Sequence, residues 1–177
     1  MKRFLLALLI LIIYNYSPAQ GKFEQPALIS SAGQSADVTL AGMLLKKISV
    51  NYKIAALATE NDLNGYKTLI IVPGYSSKGL GAAGISREQE TDRVEKLIAA
   101  AKKKKMRVLM MHIGGTARRG AQSDDFNQIS AEVSEAMIVV KQGDEDKFFS
   151  RIASQKKIKI SIVEKMADIV EVIKPMF

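Results

Sequence analysis

Two apolar runs set the strongest constraint on how this chain can fold. Thr68-Leu69-Ile70-Ile71-Val72 and Arg107-Val108-Leu109-Met110-Met111 are apolar at successive rather than alternate positions. Strands of that kind need cover on both faces, as in a parallel sheet between layers of helices. Each run leads directly into a glycine-rich polar segment, Gly74 to Gly84 and His112 to Gly120. In open α/β sheets ligands bind outside the carboxyl ends of the strands, so these segments mark where a site is expected.

The rest of the chain repeats the strand–helix alternation. Pro26–Ser30 reads as a first strand, Ser31–Ser35 as a loop, and Ala36–Ile48 as a helix with Val38, Ala41, Leu45 and Ile48 on one face. Ser35 is expected to cap that helix, with Asp37 in its first turn. Tyr52–Leu57 is a second strand, and the stretch after it is short for a helix, which suits an edge strand or an irregular crossover. Ser86-Arg87-Glu88-Gln89 is a capping box opening a helix with Val94, Leu97, Ile98 and Ala101 inward. Ser123-Asp124-Asp125 opens another helix, with Phe126, Ile129 and Val133 inward. Ala136–Val140 is a fifth strand, and Gly143-Asp144 precedes a helix with Phe148 and Ile152 inward. Lys157–Ile160 reads as a short strand, and Ser161-Ile162-Val163-Glu164 as a second capping box starting the last helix. The expected fold is an α/β, flavodoxin-like three-layer sandwich with a mostly parallel five- or six-stranded sheet in 2-1-3-4-5 order.

The first nineteen residues read as a secretory signal peptide, leaving residues 20–177 as one α/β domain. Lys2-Arg3 precedes the unbroken apolar run Phe4–Ile13, and Ser17-Pro18-Ala19 supplies a small residue for cleavage. The run is shorter than the roughly 20 residues a spanning helix needs, so no stable span is expected after cleavage; the alternative is an uncleaved anchor. The expected location is periplasmic or secreted. The chain has no cysteine, which removes disulfides and thiolate chemistry.

Lys and Arg number 26 against 18 Asp and Glu, a net charge of +8. Lys46-Lys47, Lys102 to Lys105 and Lys156-Lys157 each fall near an expected helix end, where positive charge complements the helix dipole. Small anions or an anionic envelope surface suit this charge better than nucleic acid does.

Three segments converge at the strand ends if the fold is right: Ser30–Ser35, Gly74–Gly84 and His112–Asp125. Their donors point to a site for a small carboxylate or phosphate compound. The candidate contacts are Gln34, Ser35, Ser76, Ser77, Lys78, Gly79, Gly114, Gly115, Arg118 and Arg119. Glycine-rich turns expose backbone N–H groups, and arginine grips anions through two parallel hydrogen bonds. Arg118 and Arg119 either face that cleft or pair with Asp124 and Asp125. Gly79, Gly81 and Gly84 spell G-x-G-x-x-G, but after the third strand rather than the first, which argues against a dinucleotide. No Gly-Lys-Ser/Thr ending makes the segment a P-loop.

His112 is the sole histidine. It is either an acid/base for a hydrolase or transferase in the same cleft or a structural residue bonded to a neighbouring loop. A Ser76–His112–Asp124 arrangement is the form a hydrolase would take, although no G-x-S-x-G elbow is present. Neither a metal nor an organic cofactor is implied. A third reading is an accessory subunit docked on an envelope or transport complex.

The stretches Ser31–Val38, Lys78–Gly84 and His112–Asp124 resemble an uncharacterised bacterial family of small exported α/β proteins of the DUF6305 type. The resemblance implies an exported single domain spanning nearly the whole mature chain, and brings no catalytic assignments with it.

Overall fold

Six strands, each following the one before it by a crossover, form a single parallel sheet in the order 2-1-3-4-5-6. A computed structural model describes residues 22–177; the expected signal peptide lies outside the described residues. The elements are β1 (Ala27–Ala32), α1 (Asp37–Lys47), β2 (Tyr52–Ile54), β3 (Thr68–Pro73), α2 (Ser77–Ala83), α3 (Arg87–Lys103), β4 (Arg107–His112), α4 (Asp124–Val133), β5 (Ala136–Val140), α5 (Phe148–Lys156), β6 (Lys159–Val163) and α6 (Ile169–Ile173). Among the described residues no helix is long and apolar enough to cross a membrane.

The double burial expected of the central strands is what makes the sandwich. Ile29, Ile70, Leu109 and Ile138 pack with Val38 and Leu45 of α1 and with Ile169 and Ile173 of α6. On the other face Leu28, Leu69, Ile71 and Val108 pack with Val94 and Leu97 of α3 and Phe126 of α4. Met110, Met137 and Val139 pack with Phe149 and Ile152 of α5. Alternate residues of each strand thus feed opposite cores, as the period-2 geometry of strands requires.

The strand starts are in register, Ala27 beside Thr68 and Thr68 beside Arg107. Every helix therefore returns the chain to one pole, and the loops of functional interest collect at the other. The margins are β2, three residues long, and β6, whose Lys159 and Ile162 are exposed. As expected, β2 is an edge strand, and a single 3-10 turn, Glu60–Leu63, replaces a full crossover helix behind it.

Four expectations are corrected. The Gly74–Gly84 segment is not a loop throughout, since Ser77–Ala83 is helical, capped by Ser76 and ended by the left-handed Gly84. Ser161 to Val163 continue β6 instead of capping a helix, because Ile160 to Val163 pair with Met137 to Val140 of β5. The last helix starts later, after a turn closed by Lys165 and Asp168. In α5 the residue turned into the core is Phe149, while Phe148 is only partly buried. At α1 the capping position is Ala36, although the Asp37 N–H still donates to Ser35 Oγ at 3.1 Å.

Candidate functional site

The order of strands reverses between β1 and β3, where an open crevice is expected in this fold class. Here main chain fills it. Gly33 and Gln34 leave β1 with positive φ (+103° and +60°). The Gly74 N–H then donates to Ala32 O at 2.9 Å, and the Ser76 N–H to Gly33 O at 2.8 Å. A Cβ on Gly33 would stand 2.6 Å from Gly74 O, and one on Gly79 would fall inside the Gln34 carbonyl. These glycines permit close packing. Ser76 Oγ accepts from the Gly79 N–H at 3.0 Å. Gln34 and Ser35 are buried, while Ser77 and Lys78 face solvent. Six of the ten expected contact residues, Gln34, Ser35, Ser76, Ser77, Lys78 and Gly79, therefore build or flank this seam instead of lining an open site.

Beneath the seam lies an ion pair that the sequence reading missed. Glu90 of α3 is fully buried. Its Oε1 accepts from the Gly33 N–H (2.8 Å), Gln34 Nε2 (3.0 Å) and an Arg93 guanidinium nitrogen (2.8 Å), and its Oε2 accepts from Arg93 Nε at 2.8 Å. Arg93 also donates to Ser31 O at 2.6 Å and Ala58 O at 2.7 Å. One signal was available: Glu90 stands four and seven residues before Val94 and Leu97, on the apolar stripe of its helix.

The two arginines divide their roles. Arg118 Nε lies 3.2 Å from Asp37 Oδ2, and another of its nitrogens donates to Tyr75 O at 3.3 Å. Its methylenes cover Gly74 and Gly114. Arg119 holds Asp124 (2.8 Å), Asp146 (2.9 Å) and Gly143 O (2.5 Å), and its guanidinium sits 4.5 Å over the Phe148 ring. Hydrogen bonding to Asp146 holds its proton more tightly than usual. In return Arg119 pulls the Asp146 carboxyl below the ordinary range. Asp124 is also lowered: burial opposes this, but hydrogen bonds from Arg119 and Asn127 outweigh it.

His112 lies under this clasp with no exposed surface. Burial pushes its pKa below the ordinary 6.5, against the hydrogen bond to the Arg118 carbonyl. That bond, Nε2 to Arg118 O at 3.1 Å, puts the proton of the neutral ring on Nε2. Nδ1 has no partner; the ring packs 4.6 Å from Phe149, and a Cβ on Gly143 would lie 2.5 Å from it. Among the described residues no carboxylate or hydroxyl hydrogen-bonds the ring, which is the geometry of a structural histidine rather than a triad base.

The open space lies one strand further along. The turn Gly114–Ala117 and the ends of β5 and β6 frame a shallow cleft of about 370 Å³, lined among others by Gly114, Gly115, Thr116, Gln142, Lys165 and Met166. Gly114 and Gly115 are thus the two expected contact residues that reach it. Among the described residues no group of three or more metal-binding side chains is present.

Solved structures similar in outline include a GDSL-like lipase from Bacteroides thetaiotaomicron, at 9% identity and TM-score 0.36. The match covers 77% of this chain and 66% of that one, just under two thirds of its length. A putative acylhydrolase from Bacteroides fragilis matches at 7% identity and TM-score 0.35, over 80% of this chain and 70% of that one. AlinE4, an SGNH-hydrolase family esterase, matches at 13% and 0.31, over 83% and 79%. These likenesses concern the arrangement of a sheet between helices, and a fold of this kind hosts many chemistries. No curated protein matches the sequence. A family model does match, across residues 24–177: the chain belongs to the family described as Domain of unknown function (DUF6305).

Proposed function

We propose that this chain is an exported binding domain for a small ligand carrying a carboxylate or phosphate, seated in the cleft beside Gly114 and Gly115. The observation that carries the reading is the cleft itself. It stands at the carboxyl ends of parallel strands, where this architecture binds ligands, and its roughly 370 Å³ suits a small molecule. Lys165 and Thr116 offer a charge and a hydroxyl, while Ile113, Val140 and Met166 give an apolar wall. Binding is favoured over catalysis because His112 is buried and neutral, and because Ser76 is occupied as a helix cap. Export rests on the basic start, apolar run and small-residue ending of residues 1–19.

A thermal-shift screen against small carboxylates, phosphates and sulfonates tests this reading, since a ligand of the folded state raises Tm by mass action. The expected hit is lost in Lys165→Gln and weakened in Thr116→Ala, and it survives Lys78→Gln on the far side of the seam. No shift with any anion, or a shift indifferent to Lys165, overturns the proposal.

A further inference from the structure

We infer that the pole opposite the cleft, where the strands begin, is a docking face for an anionic phospholipid surface. The proposal uses none of the cleft residues. The parallel topology returns every helix to the strand-start pole, so the lysine clusters, scattered in sequence, meet there. Lys46-Lys47 end α1, Lys102-Lys103 end α3 and Lys156 ends α5. Lys67 precedes β3 and Lys159 opens β6. Lys22, Arg107 and Lys159 line one cavity of about 210 Å³, and Lys67, Lys104, Lys105 and Arg107 line an adjoining one of about 390 Å³. Arg107 belongs to both, so the two cavities adjoin; Glu24 also lines the second. Lys22, Lys67, Lys104, Lys105 and Lys159 are all exposed.

Charge at the two poles is handled differently. At the cleft pole Arg118 pairs with Asp37, Arg119 with Asp124 and Asp146, and Lys141 with Glu164, which leaves Lys78, Lys147 and Lys165 as its lysines outside an ion pair among the described residues. At the strand-start pole Arg107 pairs with Glu135, whereas Lys104 bonds only the neutral Asn64. Among the described residues no ion pair engages Lys22, Lys67, Lys105 or Lys159. Exposed lysines outside an ion pair are thus denser at the strand-start pole than at the cleft pole.

A membrane surface suits this end better than a nucleic acid does. Single strands are gripped by exposed aromatic platforms, but here Phe23 is buried against Phe177 and beneath Arg107. The chain also enters the domain at this pole: the Phe23 N–H donates to Met176 O at 2.7 Å. The apolar run Phe4–Ile13 lies only eight residues before Lys22. Lys22, the first described residue, therefore stands on the basic face. Each lysine near an anionic lipid surface adds a screened attraction, and together they give binding that salt reverses.

The test is co-sedimentation of the full chain with phosphatidylcholine vesicles, with and without 30% phosphatidylglycerol. Binding to the anionic vesicles is expected to exceed binding to the neutral ones and to fall as salt rises. The triple change Lys67→Gln, Lys105→Gln, Lys159→Gln is expected to lower the anionic partition about a hundredfold, leaving partition into neutral vesicles unchanged. A control triple of equal charge, Lys78→Gln, Lys147→Gln, Lys165→Gln, should cost tenfold or less. Circular dichroism melts confirm that both triples fold. Equal binding to both vesicle types, equal losses from the two triples, or tighter binding to duplex DNA than to the anionic vesicles overturns the proposal.

Discussion

Replacing Glu90 by glutamine tests the packing logic of the seam most directly. The amide has almost the volume of the carboxylate, so no cavity opens. It leaves Arg93, only 11% exposed, without its counter-charge, and it turns an NH₂ toward an arginine that can only donate. Removing one partner of a buried pair costs about 3–5 kcal/mol. For a domain of this length each kcal/mol moves Tm by about 2–4 °C, so Tm should fall by about 6–20 °C. Urea unfolding at neutral pH measures the same loss as a shift in midpoint at constant slope. The contact to the Gly33 N–H adds a local signature: the amide protons of Gly33 and Gln34 should exchange faster in the variant. A double-mutant cycle with Arg93→Met isolates the pair, with an expected coupling of about 1–3 kcal/mol. A loss below about 1 kcal/mol, or strictly additive losses, would refute the claim that this pair anchors the β1 exit to α3.

Gly79→Ala should destabilise by about 1–3 kcal/mol even though alanine favours helices, because its methyl meets the Gln34 carbonyl; a neutral or stabilising result in a urea melt would contradict the close packing. Gly143→Ala should destabilise by a similar amount through contact with the His112 ring, and much of that loss should return in Gly143→Ala/His112→Ala, which makes room for the methyl. Between pH 7 and 5 the unfolded chain takes up a proton at His112 near 6.5 while the folded chain resists it. Stability is therefore full above about 6.5 and falls below it by up to about 1.4 kcal/mol per pH unit. His112→Gln should flatten that slope in melts across the range. Asp124 and Asp146, held below 3.8 by hydrogen bonds among which those from Arg119 are common to both, add acid sensitivity only under about pH 4, and Arg119→Ala should reduce that part.

Much of the fold could be read because the central strands announce themselves. Thr68 to Val72 and Ala136 to Val140 are apolar at successive positions and lie where expected, and the Ser86–Gln89 box opens α3 as expected. The reading failed where local chemistry served two structures equally well. Ser161-Ile162-Val163-Glu164 fits a capping box, but pairing with β5 decides its state, and that partner is remote in sequence. The glycines of the third-strand segment look like a phosphate cradle because freedom for a ligand and room for a neighbouring carbonyl require the same missing Cβ. At the site, Gly114 and Gly115 were legible as a turn after a buried strand. Lys165 and Met166 were not, since their approach depends on how β6 ends. The pairing of Arg119 with Asp124 was among the alternatives read from the loop, whereas Asp37 and Asp146 come from elements far along the chain.

The two margins of the sheet bear on how copies of this molecule behave when crowded together. β2 offers three residues, and β6 carries Lys159 toward its start, preceded by Lys156-Lys157. Short or lysine-bearing rims are poor templates for another chain's backbone. Growth of a shared sheet by edge-to-edge accretion would have to bring like charges face to face at each step. The lysines that make one end of the domain basic thus also keep its hydrogen-bonding rim from being extended by its own kind.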